Sequence, residues 1–435
     1  MSATVSVIIP VRNSAAHLRD CLEHLNRVPI HALESIVVDD GSSDESAAVA
    51  REHGAITICS QRQGPAAARN LGATVARGDV LLFLDADVRV HEDTIRRVLW
   101  NFESDPQLDA VIGSYDDSPG SRDFISLYKN LMHCFQHQHA RPAASTFWSG
   151  CGAIRRDVFL AYSGFDQRYR RPAIEDIELG YRLARGNRKI LLDRAVQVKH
   201  LKRWTFWSVL KTDILYRGIP WTELILRDRR MPNDLNVQVS ERVSVVLTFL
   251  LVGLAFAGTI RYDGSFLIPF IGILQSLLAT YWIETVSQRQ SKGAILLIAA
   301  FVGGFLWLAH QHHLLIIAAP VLLGYALVFL RTRYGYATNR LRRVTGLAYA
   351  LYLASAVLFM LTYLPKSLLV FGIIAILSAL VVIHRKFYAF FGSKLDRLSA
   401  LAVIPLHMLY HFYNGVSFVI GLTRHAVNRL SIGRA

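Results

Sequence analysis

The chain has 435 residues, a formal net charge of +15, 52% hydrophobic residues and a mean hydropathy of +0.29. A single hydrophobic core seldom organises a chain of this length, so two or more domains are expected. A basic chain can bind nucleic acid. Here, however, Lys and Arg concentrate between and beside long apolar runs, where basic residues face anionic lipid. We therefore predict the lipid bilayer as a partner and exclude nucleic acid.

The cysteines and the first residues indicate a cytosolic N-terminal half. The four cysteines form no CxxC pair, which excludes the usual zinc-ligand spacing, and all of them precede residue 152. The opening stretch MSATVSVIIP has no charged region before its apolar residues. It predicts a first strand and not a signal peptide.

The first half alternates short apolar runs with amphipathic stretches, a pattern typical of a doubly wound α/β sheet. Its continuous apolar run VLLFL predicts a central parallel strand that is covered on both faces. Pro65 begins one predicted helix, at the first helical position, where proline is favoured. The predicted strands are Val5–Pro10, Ser35–Asp39, Ala55–Cys59 and Val80–Leu84, and the predicted helices are His17–Leu25 and 65 to about 77.

The second half has the composition of a membrane region. A transmembrane helix needs about 20 apolar residues, with a lower limit near 17. If residue 242 is cytosolic, the predicted cytosolic loops carry eleven Lys or Arg residues and the outer loops two, a positive-inside bias. The last span can instead lie in the interface or re-enter. The predicted spans are Val243–Ile260, Ser265–Ile283, Gly293–Ala309, Leu314–Leu330, Gly346–Leu364, Ser367–Ile383 and Leu398–Leu422.

Between the halves, residues 202–234 combine three tryptophans with many basic residues. This composition is typical of a helix that lies at a membrane interface, although a linker helix with aromatic core contacts would show it too. The predicted boundaries are a cytosolic domain over 1–203, interfacial helices or linker over 204–240, about six to seven transmembrane helices over 241–422 and a basic tail over 423–435.

Two acidic motifs follow predicted strands. Ligands of open α/β sheets bind at the carboxyl ends of strands, which is where VVDDGSSDES places Asp39 and Asp40. Their carboxylates can accept hydrogen bonds from a base or a ribose, or the motif is only a strand-to-helix turn. Asp85 and Asp87 directly follow VLLFL and can both reach one divalent cation. Oxygen ligands predict Mg²⁺ or Mn²⁺, while a merely polar strand end is the alternative.

Three further motifs carry candidate functional residues. In QGPAAARN, Arg69 lies one turn into a helix and can meet a phosphate, or is a surface arginine. In PAIEDIELGYRL, Glu175 and Asp176 are candidates for a general base, or cap a helix. His200, in VQVKH, can add a nitrogen ligand to the metal, or is a histidine near the membrane face.

Taken in order, SVIIPVRN, VVDDGSSDES, GPAAARNLGA, GDVLLFLDADV, SGCGAIRR, GFDQRYRRPAIEDIELGYRL and VKH resemble the inverting family 2 glycosyltransferases with the GT-A fold. The resemblance covers about the first 205 residues. It implies an α/β doubly wound nucleotide-sugar domain followed by an all-α transmembrane helix bundle. It also implies a nucleotide-sugar donor, with a UDP-sugar favoured over a GDP-sugar, and a lipid-linked or saccharide acceptor.

The resemblance assigns roles residue by residue. It implies donor binding by Pro10, Asp39, Asp40, Arg69, Asp85, Gly150 and Gly152. It implies a metal held by Asp85, Asp87 and His200, and catalysis by Asp176 with Glu175 as the fallback base. The implied function is a membrane-bound, metal-dependent hexosyl transfer in glycolipid, cell-envelope or exopolysaccharide synthesis, at the inner membrane.

Two departures restrict this expectation. Processive synthases that resemble this chain carry QxxRW, whereas here five residues separate Gln197 from Arg203, so single transfer is favoured. The segment GPAAARNLG also differs from that of polyprenyl-phosphate mannosyltransferases. The rival interpretations are a transporter or flippase with a regulatory nucleotide-sugar domain, a nucleotidylyltransferase, and an inactive scaffold. The transporter is disfavoured because the spans contain few charges. The nucleotidylyltransferase is disfavoured because the chain has no GxGTR loop, and the inactive scaffold because the acidic motifs are intact.

Overall fold

The computed structural model describes residues 3–29, 33–262 and 367–432. The chain divides into two compact units, one within Met1–Arg242 plus Tyr413–Ala435 and one within Val243–Phe412.

An eight-stranded sheet forms the centre of the first unit, in the order β3-β2-β1-β4-β7-β6-β8-β5. Strands β1 to β4 are parallel, with Val5 opposite both Leu33 and Val80. This half confirms the predicted α/β arrangement and all four predicted strands. The strands are β1 Val5–Val11, β2 Leu33–Asp39, β3 Ile56–Cys59, β4 Val80–Leu84, β5 Val88–Val90, β6 Ala110–Tyr115, β7 Cys151–Arg155 and β8 Ile190–His200.

The other half of the sheet is mixed. Strand β7 runs antiparallel to both β4 and β6, and β5 runs antiparallel to β8. Residues 116–150 connect β6 to β7 and return the chain to the end of the sheet at which β6 finishes, so β7 runs opposite to β6. A short apolar run such as CGAIR carries no signal of strand direction.

Seven helices of the first unit connect and cover these strands. They are α1 Ala15–Leu25, α2 Ser46–Glu52, α3 Pro65–Val75, α4 Thr94–Ser104, α5 Phe124–His139, α6 Arg156–Ala161 and α7 Glu175–Arg185. Helix α3 begins where predicted, with Pro65 at its first position after Gly64. Gly64 has φ +95°, and a Cβ atom there would lie 2.4 Å from the carbonyl oxygen of Arg170. Only glycine fits this entry to the helix.

Strand β4 fixes the position of the acidic residues that follow it. Every residue of VLLFL is buried. Phe83 packs against the rings of Phe159 and Phe165, with centroids 5.1 Å and 5.0 Å away. Burying one large apolar side chain of this kind contributes about 1.5–3 kcal/mol. The end of β4 is therefore a rigid base for the residues that follow.

After β8 the chain forms α8 Phe206–Lys211, a π-helical segment Thr212–Gly218, α9 Ile219–Asp228 and a 3₁₀ turn Leu235–Val237. The tryptophans of this region differ in exposure. Trp221 is buried and its indole donates to the Tyr181 hydroxyl at 3.0 Å, as the core-contact alternative expects. Trp207 is 75% exposed, and Phe206 and Leu215 are also exposed. The apolar surface thus lies on α8 and the π-helical segment.

A buried ion pair anchors the π-helical segment to α5. The ammonium group of Lys129 lies 2.7 Å from both carboxylate oxygens of Asp213, and the Tyr413 hydroxyl donates to the same carboxylate at 2.7 Å. Both charged residues are buried. Removing one member of such a pair costs about 3–5 kcal/mol because the other charge stays buried. The pair therefore fixes this segment against the helix that also borders the site below.

Among the described residues, one helix is long and apolar enough to cross a membrane, or two if a bent pair is one span. Its window Val239–Phe256 has a mean hydropathy of 1.8, and the bent pair turns by 67° at residue 384. Of the predicted spans, 243–260 falls within α10, 367–383 coincides with α11 and 398–422 falls within α13, which contains Pro405. The other four spans lie outside the described residues. The helices are α10 Val239–Tyr262, α11 Ser367–Ile383, α12 Arg385–Lys394 and α13 Arg397–Ile432.

Candidate active site

The end of β4 brings together two residues that are far apart in the sequence. Val88 in β5 pairs with His200 in β8, and the amide of Leu201 donates to the carbonyl of Asp87 at 2.8 Å. The His200 Nε2 atom consequently lies 3.6 Å from Asp87 Oδ2. Two of the three predicted metal ligands are therefore adjacent, and the third, Asp85, precedes Asp87 by two residues at the same strand end.

The environment of His200 fits a metal ligand. Its Nδ1 atom lies 2.6 Å from Asn130 Oδ1, and its ring stacks on Tyr115 with centroids 4.2 Å apart. An amide oxygen only accepts hydrogen bonds, so this contact assigns the proton to Nδ1 and leaves the Nε2 lone pair facing Asp87. Metal-binding histidines are oriented by such a partner on the other ring nitrogen.

The ionisation of Asp87 is consistent with the same role. Burial alone would raise the pKa of this carboxyl group, but the neighbouring His200, together with Lys202 and His17, lowers it well below its usual value. Asp87 is therefore a carboxylate at neutral pH. One carboxylate oxygen beside one imidazole nitrogen is a donor set that fits a divalent cation.

Asn130→Ala tests the orientation of His200. Without its hydrogen-bond partner the imidazole rotates more freely, so we expect the Mn²⁺ affinity to fall about 10- to 100-fold. The measurement is a Mn²⁺ titration of the purified chain, followed by electron paramagnetic resonance. Asn101→Ala is a matched control, because Asn101 is buried but donates to Asp193 at 2.7 Å in another part of the sheet. Equal Mn²⁺ affinities in the two variants would contradict the role of Asn130.

Arg69 connects the two acidic motifs. Its guanidinium is buried and donates to Asp85 Oδ1 at 2.6 Å and to Glu175 Oε1 at 2.9 Å. Burial alone would lower the pKa of Arg69, but Asp85, Glu175 and Asp176 raise it. The sequence predicts that Arg69 holds the nucleotide, whereas here the guanidinium binds carboxylates of the chain. Arg69 thus positions Asp85 relative to the beginning of α7.

Asp40 also contacts the chain itself. Its carboxylate accepts hydrogen bonds from the Ser60 hydroxyl at 2.6 Å and from the amides of Gln63 and Gly64, each at 2.8 Å. These contacts hold the loop before α3. Asp39 is buried at the end of β2 and accepts from the amide of Ser42 at 2.9 Å. Pro10 pairs with the neighbouring strand β2. The three predicted donor-binding residues therefore lie along one edge, at the carboxyl ends of β1 and β2.

Asp176 and Glu175 begin α7 but have different surroundings. The Asp176 carboxylate accepts from the backbone amide and the hydroxyl of Ser149, at 3.0 Å and 3.1 Å, and is partly exposed. Glu175 is buried, paired with Arg69 and bonded to the amide of Ala173 at 2.9 Å. Of the two carboxylates, that of Asp176 is the more accessible from solvent.

Gly150 and Gly152 permit close packing beside Asp176. A Cβ atom on Gly150 would lie 2.7 Å from the Trp148 indole, and one on Gly152 would lie 2.2 Å from the Trp148 carbonyl oxygen. The space beside each glycine is therefore filled by protein. Their predicted contact with the sugar would have to be made by the backbone.

Some residues of the site are not apparent from the sequence. Asn130 and Tyr115 lie outside the seven motifs, and each contacts His200 only because the chain folds. Ser149 begins the motif SGCGAIRR, but its contact with Asp176 was not predicted. Asn130 offers little signal in the sequence, since the buried residues of α5 include other polar side chains such as Ser126, Lys129 and His137.

Comparison with known proteins gives one family match. Residues 6–162 match the model of the family described as Glycosyl transferase family 2. The matched range contains β1 to β7, Asp39, Asp85 and Asp87. It ends before Asp176 and His200.

Curated relatives match over part of their length. Glycosyltransferase GlyG of Streptococcus pneumoniae is 32% identical over 130 residues, which are 28% of this chain and 43% of the relative. The pre-mycofactocin glycosyltransferase of Mycobacterium tuberculosis is 29% identical over 225 residues, 49% of this chain and 46% of the relative. The chain thus spans less than half the length of these relatives.

Among solved structures, the mannosyltransferase PcManGT from Pyrobaculum calidifontis, in complex with GDP-Man and Mn²⁺, aligns over 82% of this chain and 87% of that one. The identity is 17% and the TM-score 0.44.

Proposed function

We propose that this chain is a metal-dependent glycosyltransferase, which moves a sugar from a nucleotide-sugar donor to an acceptor hydroxyl. The observation that carries the proposal is the linked arrangement of Asp87, His200, Asp85, Arg69 and Asp176 at the strand ends. Asp87 and His200, the two residues that fit a metal ion, lie beside the end of β4. Arg69 joins Asp85 to Glu175, which directly precedes the candidate base Asp176. The family match over residues 6–162 supports the same activity.

In this proposal Asp87 and His200 hold Mn²⁺ or Mg²⁺, with Asp85 beside them. A mixed nitrogen and oxygen donor set suits Mn²⁺ better than Mg²⁺, which prefers oxygen ligands. When bound, the cation supplies positive charge for the diphosphate leaving group. Asp39 accepts hydrogen bonds from the nucleotide, and Arg69 keeps Asp85 in place.

Asp176 is the proposed general base. Its carboxylate accepts two hydrogen bonds from Ser149, which fix its direction, and it takes the proton of the acceptor hydroxyl. The acceptor oxygen then attacks the anomeric carbon from the face opposite the leaving group, so the configuration inverts. Displacement in one step needs a base and no protein nucleophile.

The finer assignments rest on the sequence. We propose a UDP-sugar donor, a lipid-linked or saccharide acceptor, and a multi-pass protein of the inner membrane whose N-terminal domain is cytosolic. The apolar helices α10 and α11 and the exposed Trp207 support an association with the bilayer.

A donor screen tests the proposed activity. The full chain, purified in detergent, is incubated with a panel of UDP- and GDP-sugars and Mn²⁺ or Mg²⁺, and release of the nucleoside diphosphate is measured. We expect one donor to be hydrolysed slowly without an acceptor, with Mn²⁺ supporting the faster rate and excess EDTA abolishing it. Binding of a donor without any turnover would support the regulatory or scaffold interpretations instead.

A further inference from the structure

The second unit contains three buried histidines outside the proposed active site, which we call the histidine cluster: His384, His407 and His411. Their exposed fractions are 7%, 2% and 1%. His407 and His411 are four residues apart in α13, so they lie on the same face of the helix. His384 lies between α11 and α12, where the chain bends by 67°. Two separate segments therefore direct imidazoles to one place.

The three rings are close enough to share one ion. Their centroids are 4.4–4.9 Å apart, and one ligand nitrogen from each ring lies within 4.8 Å of the other two. Two nitrogens that bind one tetrahedral zinc ion with bonds of about 2.0–2.1 Å lie about 3.4 Å apart, so binding would draw the rings together by up to about 1.4 Å. Imidazole is the ligand that zinc and its neighbours among the transition metals prefer.

Two of the rings also have hydrogen-bond partners of the kind that orients a metal ligand. The Ser244 hydroxyl lies 2.8 Å from His384 Nε2, and the Tyr388 hydroxyl lies 3.1 Å from His407 Nδ1. A histidine that binds metal through one ring nitrogen is typically hydrogen-bonded through the other. All of these residues belong to the second unit.

We propose that the histidine cluster binds one divalent transition metal ion, Zn²⁺ by preference, which joins the bend at residue 384 to α13. Three imidazoles supply three of the four ligands of a tetrahedral zinc ion. A shared cation would give the three ring nitrogens a common partner. The role is structural, and it is separate from the metal proposed at Asp87.

The competing interpretation is a packing cluster without metal. His407 stacks on Phe387 with centroids 4.2 Å apart, so aromatic contacts alone also account for part of its burial. A packing cluster needs no fourth ligand and binds no cation. The two interpretations therefore differ in a directly measurable quantity, which is the metal content of the chain.

Cobalt is the probe, because Co²⁺ replaces Zn²⁺ and absorbs visible light when it is tetrahedral. The full chain carrying Asp87→Ala, which removes the competing site, is purified in detergent and titrated with Co²⁺. We expect a visible absorption band that saturates near one equivalent and disappears when Zn²⁺ is added. A Co²⁺ titration without such a band overturns the proposal, and this result depends on no substitution in the cluster.

Variants then show which residues bind the Co²⁺ ion that produces the absorption band. His407→Gln and His411→Gln, each in the same Asp87→Ala background, should lower Co²⁺ affinity at least about 10-fold. His425→Gln is the matched control, because His425 lies on the same helix but outside the cluster. Circular dichroism checks that α13 and its neighbours remain helical. An unchanged band in both cluster variants would show that the metal binds elsewhere and would overturn the assignment.

Discussion

Asp87→Ala is expected to lower sugar transfer at least about 10³-fold while the chain remains folded. The carboxylate is a direct ligand in the proposed site, 3.6 Å from His200 Nε2. Losing several kcal/mol of charge stabilisation at the leaving diphosphate corresponds to a factor of this size, since each 1.36 kcal/mol changes the rate tenfold. Stability should change little because the Asp87 side chain is partly exposed at a strand end. The measurement is kcat with the donor found in the screen, at several Mn²⁺ concentrations.

Asp79→Ala is the control for this substitution. Asp79 lies at the other end of β4, is exposed, and accepts hydrogen bonds from the amide and hydroxyl of Thr4 at 3.0 Å and 2.8 Å. The substitution removes a carboxylate next to the same strand, at the end that lies away from the proposed metal site. We expect its transfer rate and Mn²⁺ dependence to match the unsubstituted chain. If Asp87→Ala behaves as Asp79→Ala does, the metal assignment is wrong.

The parallel half of the sheet could be predicted because its signals are local. The run VLLFL is continuous and apolar, and it ends in two carboxylates, so both the buried strand and the polar strand end follow from adjacent residues. The reversal of β7 depends instead on how a long connection returns to the sheet. The neighbours of a strand are set by contacts across the whole domain, and a five-residue run does not encode them.

The same distinction separates the predicted and the unpredicted parts of the site. Asp85, Asp87 and His200 could be chosen because they follow strands. The partners of Arg69 could not, since Glu175 lies 106 residues further along the chain. Asn130 is 70 residues from His200 and acquires its role only when α5 packs beside β8. Residues that position a functional group are chosen by distance in space, for which one sequence gives little signal.

The base assignment makes opposite predictions for two neighbouring residues. Asp176→Asn keeps the size of the side chain and one acceptor oxygen, but its amide nitrogen cannot accept a proton. Sugar transfer should fall about 10²- to 10⁴-fold, the usual contribution of a positioned base. One hydrogen bond at the beginning of α7 is weakened, which costs about 1 kcal/mol. The KM for the donor should hardly change, because no donor contact is assigned to Asp176.

Glu175→Gln should show the reverse pattern. It neutralises a buried partner of Arg69 and leaves that guanidinium with less compensation, so we expect a stability loss of about 3 kcal/mol. Transfer should fall less than in Asp176→Asn, since the base itself is intact. Thermal unfolding and single-turnover transfer, measured on both variants at one temperature, separate the two effects. If Glu175→Gln loses sugar transfer while Asp176→Asn keeps it, Glu175 is the base. Asp176, at the beginning of α7, then serves only to hold Ser149.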